Sequence, residues 1–110
     1  MGETFDLFAN DPLSVARRRA SIFREGFIEW LEINGHVYTE FERRALHVAR
    51  FREHYSGYTI LEVMRHDSII GELHGEWKLN NSHCADLCRL FALCNPNHAG
   101  LFEFRARKAA

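Results

Sequence analysis

Four residues near the C-terminal end have the types and spacing of a metal site. Cys84, Cys88, Cys94 and His98 form C-x3-C-x5-C-x3-H, close to the spacing of zinc sites built from three thiolates and one imidazole, although the first interval is short. Zinc needs four such ligands placed tetrahedrally, and small zinc modules are loop-rich and fold on their metal. This stretch is not loop-rich. Cys84, Leu87, Cys88, Phe91 and Cys94 recur at helical spacing, which makes the thiols small hydrophobes on an apolar stripe. The expectation is therefore three buried, metal-free cysteines, with Cys88 the most deeply placed, and no cofactor.

Enzyme chemistry finds no support in the remaining motifs. His74, Asn80 and His83 have the residue types of an HNH nuclease, but the intervals are too short for strands and a helix to gather them round one metal, and no acidic cluster lies beside them. There is no Ser-His-Asp spacing and no glycine-rich phosphate loop. Glu72, Glu76 and Glu103 read as solvated carboxylates. No small-molecule substrate is evident, and the chain is expected not to be an enzyme.

The better signal is a basic stripe. Arg43, His47, Arg50 and His54 fall at offsets 0, 4, 7 and 11, with no Asp or Glu among them, and Arg44 flanks them. On one helix they would lie opposite the apolar face and could follow a phosphate backbone, each cation adding a salt-dependent, sequence-independent contribution. Lys78, Arg105 and Arg107 are the first candidates to join such a nucleic-acid contact, because a chain of near-zero charge makes a useful positive field only by segregating its cations. An ordinary solvated face carries the same residues.

These groups must be positioned by helices and one small sheet. Residues 1–10 contain Phe5, Leu7 and Phe8 without a helical period and read as a flexible N-terminal arm. Asp11 and Pro12 give a cap and a first helical residue. From there Ala16, Ala20, Phe23, Phe27, Trp30 and Leu31 form one stripe that ends at Asn34-Gly35, with Gly35 suited to a left-handed C-cap and Gly26 to a break or a close crossing. Thr39 with Glu42 has the form of a capping box, which predicts a second helix from about residue 40 to about 54 with Phe41, Ala45, Val48 and Tyr55 inward. Thr59 with Glu62 predicts a third helix, with Ile60, Val63 and Met64 inward, ending near Asp67-Ser68. Alternation at 76–79 and 101–105 predicts two strands flanking a helix at 83–94, in which Ser82 caps and Asn95-Pro96 stops. The fold class is thus mainly α with a small two-stranded sheet (α+β), a divergent winged-helix-like arrangement. One globular domain spans 11–106, and 107–110 is a basic tail.

Size and charge narrow the function classes. A chain of 110 residues with 46% hydrophobic and 26% charged residues is an ordinary globular domain. With 14 basic against 15 acidic residues its net charge is −1, low for a general polyanion binder. No apolar run nears the roughly 20 residues that span a bilayer, no signal pattern opens the chain, and three cysteines are an odd number for a secreted disulfide scaffold. A cytoplasmic location and no membrane partner are expected.

Several short motifs agree in order and spacing. Asn34-x-x-Val37-Tyr38, Glu62-Val63-x-Arg65, Lys78-Leu79-Asn80-Asn81, Ala85-x-Leu87-x-Arg89-Leu90 and Pro96-x-x-x-Gly100-Leu101-Phe102-Glu103-x-Arg105 together resemble a family of small uncharacterised phage- and prophage-encoded proteins. The resemblance covers residues 27–107. It implies a small accessory role in a bacterial host cell, assigns no catalytic residue, and does not require the three thiols. Two functions compete: a DNA-binding regulatory domain using the basic stripe, and a non-catalytic protein-interaction module that modulates or inhibits a host factor or defence system.

Overall fold

The computed structural model describes residues 11–67 and 82–102. Five α-helices carry the described chain: α1 (Pro12–Arg18), α2 (Phe27–Ile33), α3 (Gly35–Ala49), α4 (Gly57–Asp67) and α5 (Ser82–Cys94). Among the described residues, short 3-10 turns at Ala20–Ile22 and Pro96–His98 complete the regular structure. None of these helices is long and apolar enough to cross a membrane.

The expected α+β, winged-helix-like fold is corrected: among the described residues all regular structure is helical, and no strand occurs. The clearest departure is at Leu101 and Phe102, which were expected to open the second strand. They lie in a bend and are 3% and 4% exposed. Successive strand residues point to opposite faces, so two adjacent side chains entering one core are incompatible with a half-buried strand. Phe102 instead packs between Phe41 and Phe91, with ring centroids 5.5 and 5.2 Å away. The Tyr55 N–H donates to the Leu101 carbonyl at 2.9 Å, joining this bend to the loop after α3. The proposed strand at 76–79, residues 103–105 of the other, the N-terminal arm and the basic tail lie outside the described residues.

The first helix begins as expected. The Asp11 carboxylate accepts the Ser14 N–H at 3.0 Å and Pro12 occupies the first helical position. It does not run on to Asn34, however. The chain turns through 19–26, and Gly26 adopts φ 91°, a left-handed conformation that a side chain would resist. The apolar stripe survives this break: Ala16, Phe23, Phe27 and Leu31 are all buried, whereas Ala20 is exposed.

Two other helix starts also move. Helix α3 begins at Gly35 rather than near residue 40, and Gly35 is a helical residue with ordinary φ, not a left-handed cap. Val37 and Tyr38 are fully buried; their packing carries the helix upstream past Thr39, whose capping-box pattern therefore sits inside it. Helix α4 begins at Gly57. The Ser56 hydroxyl accepts the Thr59 N–H at 3.2 Å and supplies the cap expected from Thr59.

Helix α5 is the centre of the packing, in contact with α1, α3 and α4. Leu87, Leu90 and Phe91 are fully buried and meet Phe27, Tyr38, Phe41 and Leu61 in one core. Its C-terminal end is tied to α3 by a small polar cluster. Asn95 donates through its backbone and side-chain nitrogens to the Phe91 carbonyl at 2.8 and 3.1 Å. The same side chain donates to Glu42 Oε2 at 2.9 Å, and the buried Tyr38 hydroxyl donates to that oxygen at 3.1 Å. These bonds satisfy polar groups that would be costly to bury unpaired. Burial, the largest cause, and the neighbouring Cys94 and Glu42 push the Tyr38 hydroxyl far above its ordinary pKa, so it remains a donor.

Candidate interaction surface

The proposed basic stripe does not hold together as one helix face. Helix α3 ends at Ala49, so only Arg43 and His47 lie on it; Arg50 is its C-cap and His54 lies in the following loop. The stripe required four residues at helical spacing, and the chain leaves the helix before its last turn. His54 Nδ1 lies 3.2 Å from the Gly100 carbonyl, beside a hollow of about 290 Å3 whose lining includes Arg52, Glu53 and His98. Lys78, Arg105 and Arg107 lie outside the described residues.

The guanidiniums of Arg43 and of the flanking Arg44 are also matched by carboxylates, though no acidic residue occurs within the stripe itself. Arg43 donates to both Glu40 oxygens, at 3.1 and 2.6 Å. Arg44 donates to Glu40 Oε2 at 2.6 Å and to Asp67 Oδ2 at 2.9 Å, so it bridges α3 to the end of α4. Hydrogen bonding from Arg43, then from Arg44, holds the Glu40 carboxyl down at about 2, keeping it ionised at neutral pH. Two cations and two anions thus share the face, which weakens the far field that phosphate recognition needs.

What the structure adds is an apolar groove between α3 and α4. It has a volume of about 350 Å3 and is lined by Arg43, Arg44, His47 and Val48 of α3, by Tyr55, and by Ile60 and Val63 of α4. Val63, expected to face the core, is 45% exposed, because α4 buries Ile60, Leu61 and Met64 instead. Next to His47 stands Phe51, 69% exposed, with the His47 ring edge-on at 5.5 Å and the Arg50 guanidinium 5.8 Å from its centroid. Phe51 escaped the sequence reading because it breaks the stripe's periodicity; an aromatic set among Arg50, Arg52 and His47 was the available signal.

The thiols are distributed rather than gathered. Among the described residues, no three His, Cys, Asp or Glu side chains converge in a way that could hold a metal ion. Cys88 is 6% exposed, but Cys84 and Cys94 are only partly buried, which corrects the expectation that all three sit in the core. The difference follows position along the helix: Cys84 and Cys94 lie in the first and last turns of α5, whereas Leu87, Cys88, Leu90 and Phe91 lie in its middle. His83 stacks on Trp30 with centroids 4.5 Å apart, and burial lowers its pKa; His74 and Asn80 lie outside the described residues. No protein-family model matches the chain, and neither curated protein sequences nor solved structures gave a match.

Proposed function

We propose that this chain is a non-catalytic protein-interaction module whose α3–α4 groove accepts an apolar side chain of a partner protein, in keeping with a small accessory role of the phage type. The observation that carries this reading is the groove itself. Ile60, Val48 and Tyr55 give it an apolar lining and Val63 is half exposed at its wall, while the guanidiniums at its rim are matched to Glu40 and Asp67. Apolar anchors in a pocket surrounded by satisfied polar groups suit protein recognition. They suit a DNA backbone less well, since that contact draws on unmatched cations.

One observation favours a second reading. Phe51, flanked by His47 and Arg50, has the form of a platform on which a base of single-stranded nucleic acid stacks.

One experiment separates the two. Peptides are selected from a random library on the intact chain and tested against Val63→Glu and Arg50→Glu, alongside duplex and single-stranded oligonucleotides at about 50 and 200 mM salt. The protein reading expects peptides that lose roughly tenfold or more in affinity on Val63→Glu, the scale of losing one buried anchor, with circular dichroism unchanged. Oligonucleotide binding that weakens with salt and disappears in Arg50→Glu, with no peptide sensitive to Val63, would overturn it.

A further inference from the structure

The arginines around the α3–α4 groove are of two kinds. Arg43 and Arg44 are matched by Glu40 and Asp67. Where the chain leaves α3, the guanidiniums lie over aromatic rings instead. Arg50 is 5.8 Å from the centroid of Phe51, and Arg52 is 6.0 Å from that of Tyr55. Both arginines are exposed, and among the described residues neither forms an ion pair.

These two cations are joined to the groove by contacts. Tyr55, which carries Arg52, is itself a lining residue, and so is His47. The His47 ring meets the exposed Phe51 edge-on at 5.5 Å, and Arg50 lies on the same Phe51. Apolar surface therefore runs out of the groove over His47 to Phe51 and ends at a cation without a carboxylate partner. Two steps of these lengths are covered by roughly three residues of extended chain.

We propose that the groove's occupant is a partner-protein segment with an acidic residue within about three positions of its apolar anchor, the carboxylate being taken by Arg50 and Arg52. This rests on the groove reading above and adds the charge and polarity of the segment. A guanidinium lying over a ring keeps its N–H edge for a planar acceptor, and a carboxylate takes two such N–H groups side by side. The rings hold both guanidiniums beside the groove before a partner arrives, so less side-chain freedom is lost on binding. Because Arg43 and Arg44 already have carboxylates, the acidic residue lies on one side of the anchor only. A phosphate backbone suits this end less well. Two cations are few for it, and Glu53, which lines a hollow together with Arg52, adds an anion beside them.

The test selects linear peptides on the full chain from a library in which one Leu, Phe or Trp is fixed and the other positions are Asp, Lys, Ser or Gly. Enriched peptides are expected to carry Asp on one side of the anchor, within about three positions. Their affinity should fall roughly two- to fivefold in Arg50→Gln or Arg52→Gln, the scale of one exposed ion pair, and further in the double variant, with circular dichroism unchanged. Replacing that Asp by Ser in the peptide should cost less against the double variant than against the parent. Peptides that depend on Val63, by Val63→Glu, yet show no Asp preference or no loss in the arginine variants overturn this inference and leave the groove reading standing. If no peptide depends on Val63, or if single-stranded oligonucleotide binds through Arg50 in its place, both are overturned.

Discussion

The carboxylate of Asp86, fully buried on α5, accepts the backbone N–H of Arg24, 62 positions upstream, at 3.3 Å. Its other oxygen accepts from the Arg89 guanidinium at 2.8 Å, and Arg89 remains one-third exposed. Asp86 therefore joins the turn between α1 and α2 to the central helix. Arg24 immediately precedes Glu25 and the left-handed Gly26, so the bond lies where the first helical stripe is broken.

Replacing Asp86 by Ala should destabilise the fold by about 2–3 kcal/mol, the cost of a charge-assisted bond lost together with an N–H left unpaired. Asp86→Asn keeps an oxygen for the Arg24 N–H and should cost less, because Arg89 can turn to water. Urea unfolding of the two variants measures this. Midpoints equal to the parent would show that the bond does not hold the turn.

Gly57 and Cys88 form a second pair whose sizes are linked across α4 and α5. Gly57→Ala should destabilise by about 1–3 kcal/mol through overpacking against the Cys88 sulfur, less the roughly 1 kcal/mol that alanine gains over glycine within a helix. Cys88→Ala alone should cost about 1 kcal/mol in lost apolar burial. In the Cys88→Ala background the added methyl has room, so the double variant should be more stable than the sum of single costs predicts. Strict additivity in a double-mutant cycle would contradict the contact.

His83 gives the stability a pH dependence with a defined sign. Burial, as the largest cause, lowers its pKa below the ordinary value of 6.5, so the unfolded chain takes up a proton before the folded one does. Its contribution is then fully present above pH 6.5 and is lost as the pH falls through the lower folded value. His83→Phe preserves a ring against Trp30 and removes the titration. Unfolding free energies measured between pH 7.5 and 5 should fall more steeply for the parent than for this variant, and parallel curves would remove His83 as the cause.

Much of the helical framework was legible in the order of residues. Asp11-Pro12, the stop at Asn95-Pro96 and the apolar run of α5 follow from local chemistry, namely a side-chain cap, a ring without an N–H, and apolar spacing near 3.6. So did the burial of Cys88, which lies mid-stripe between Leu87 and Phe91. Local rules cannot rank competing signals. Thr39 and Thr59 both carry the capping-box pattern, yet burial of Val37 and Tyr38 and the neighbouring Ser56 hydroxyl set the actual helix starts. Leu101 and Phe102 alternate well enough with their neighbours to read as a strand, but the space between Phe41 and Phe91 takes Phe102, and Leu101 is buried beside it.

The surface shows the same division more sharply. Sequence alone determined that Arg43, His47, Arg50 and His54 recur at helical offsets and that Asp86 follows soon after a helix start. Only the tertiary structure decided that α3 stops before the stripe is complete, that Glu40 and Asp67 come to Arg43 and Arg44, and that Asp86 turns inward to a backbone N–H near Gly26. The physical reason is range: caps and periodicity act within a turn or two of helix, whereas the partner of a charge and the depth of a side chain depend on which distant segment packs against it.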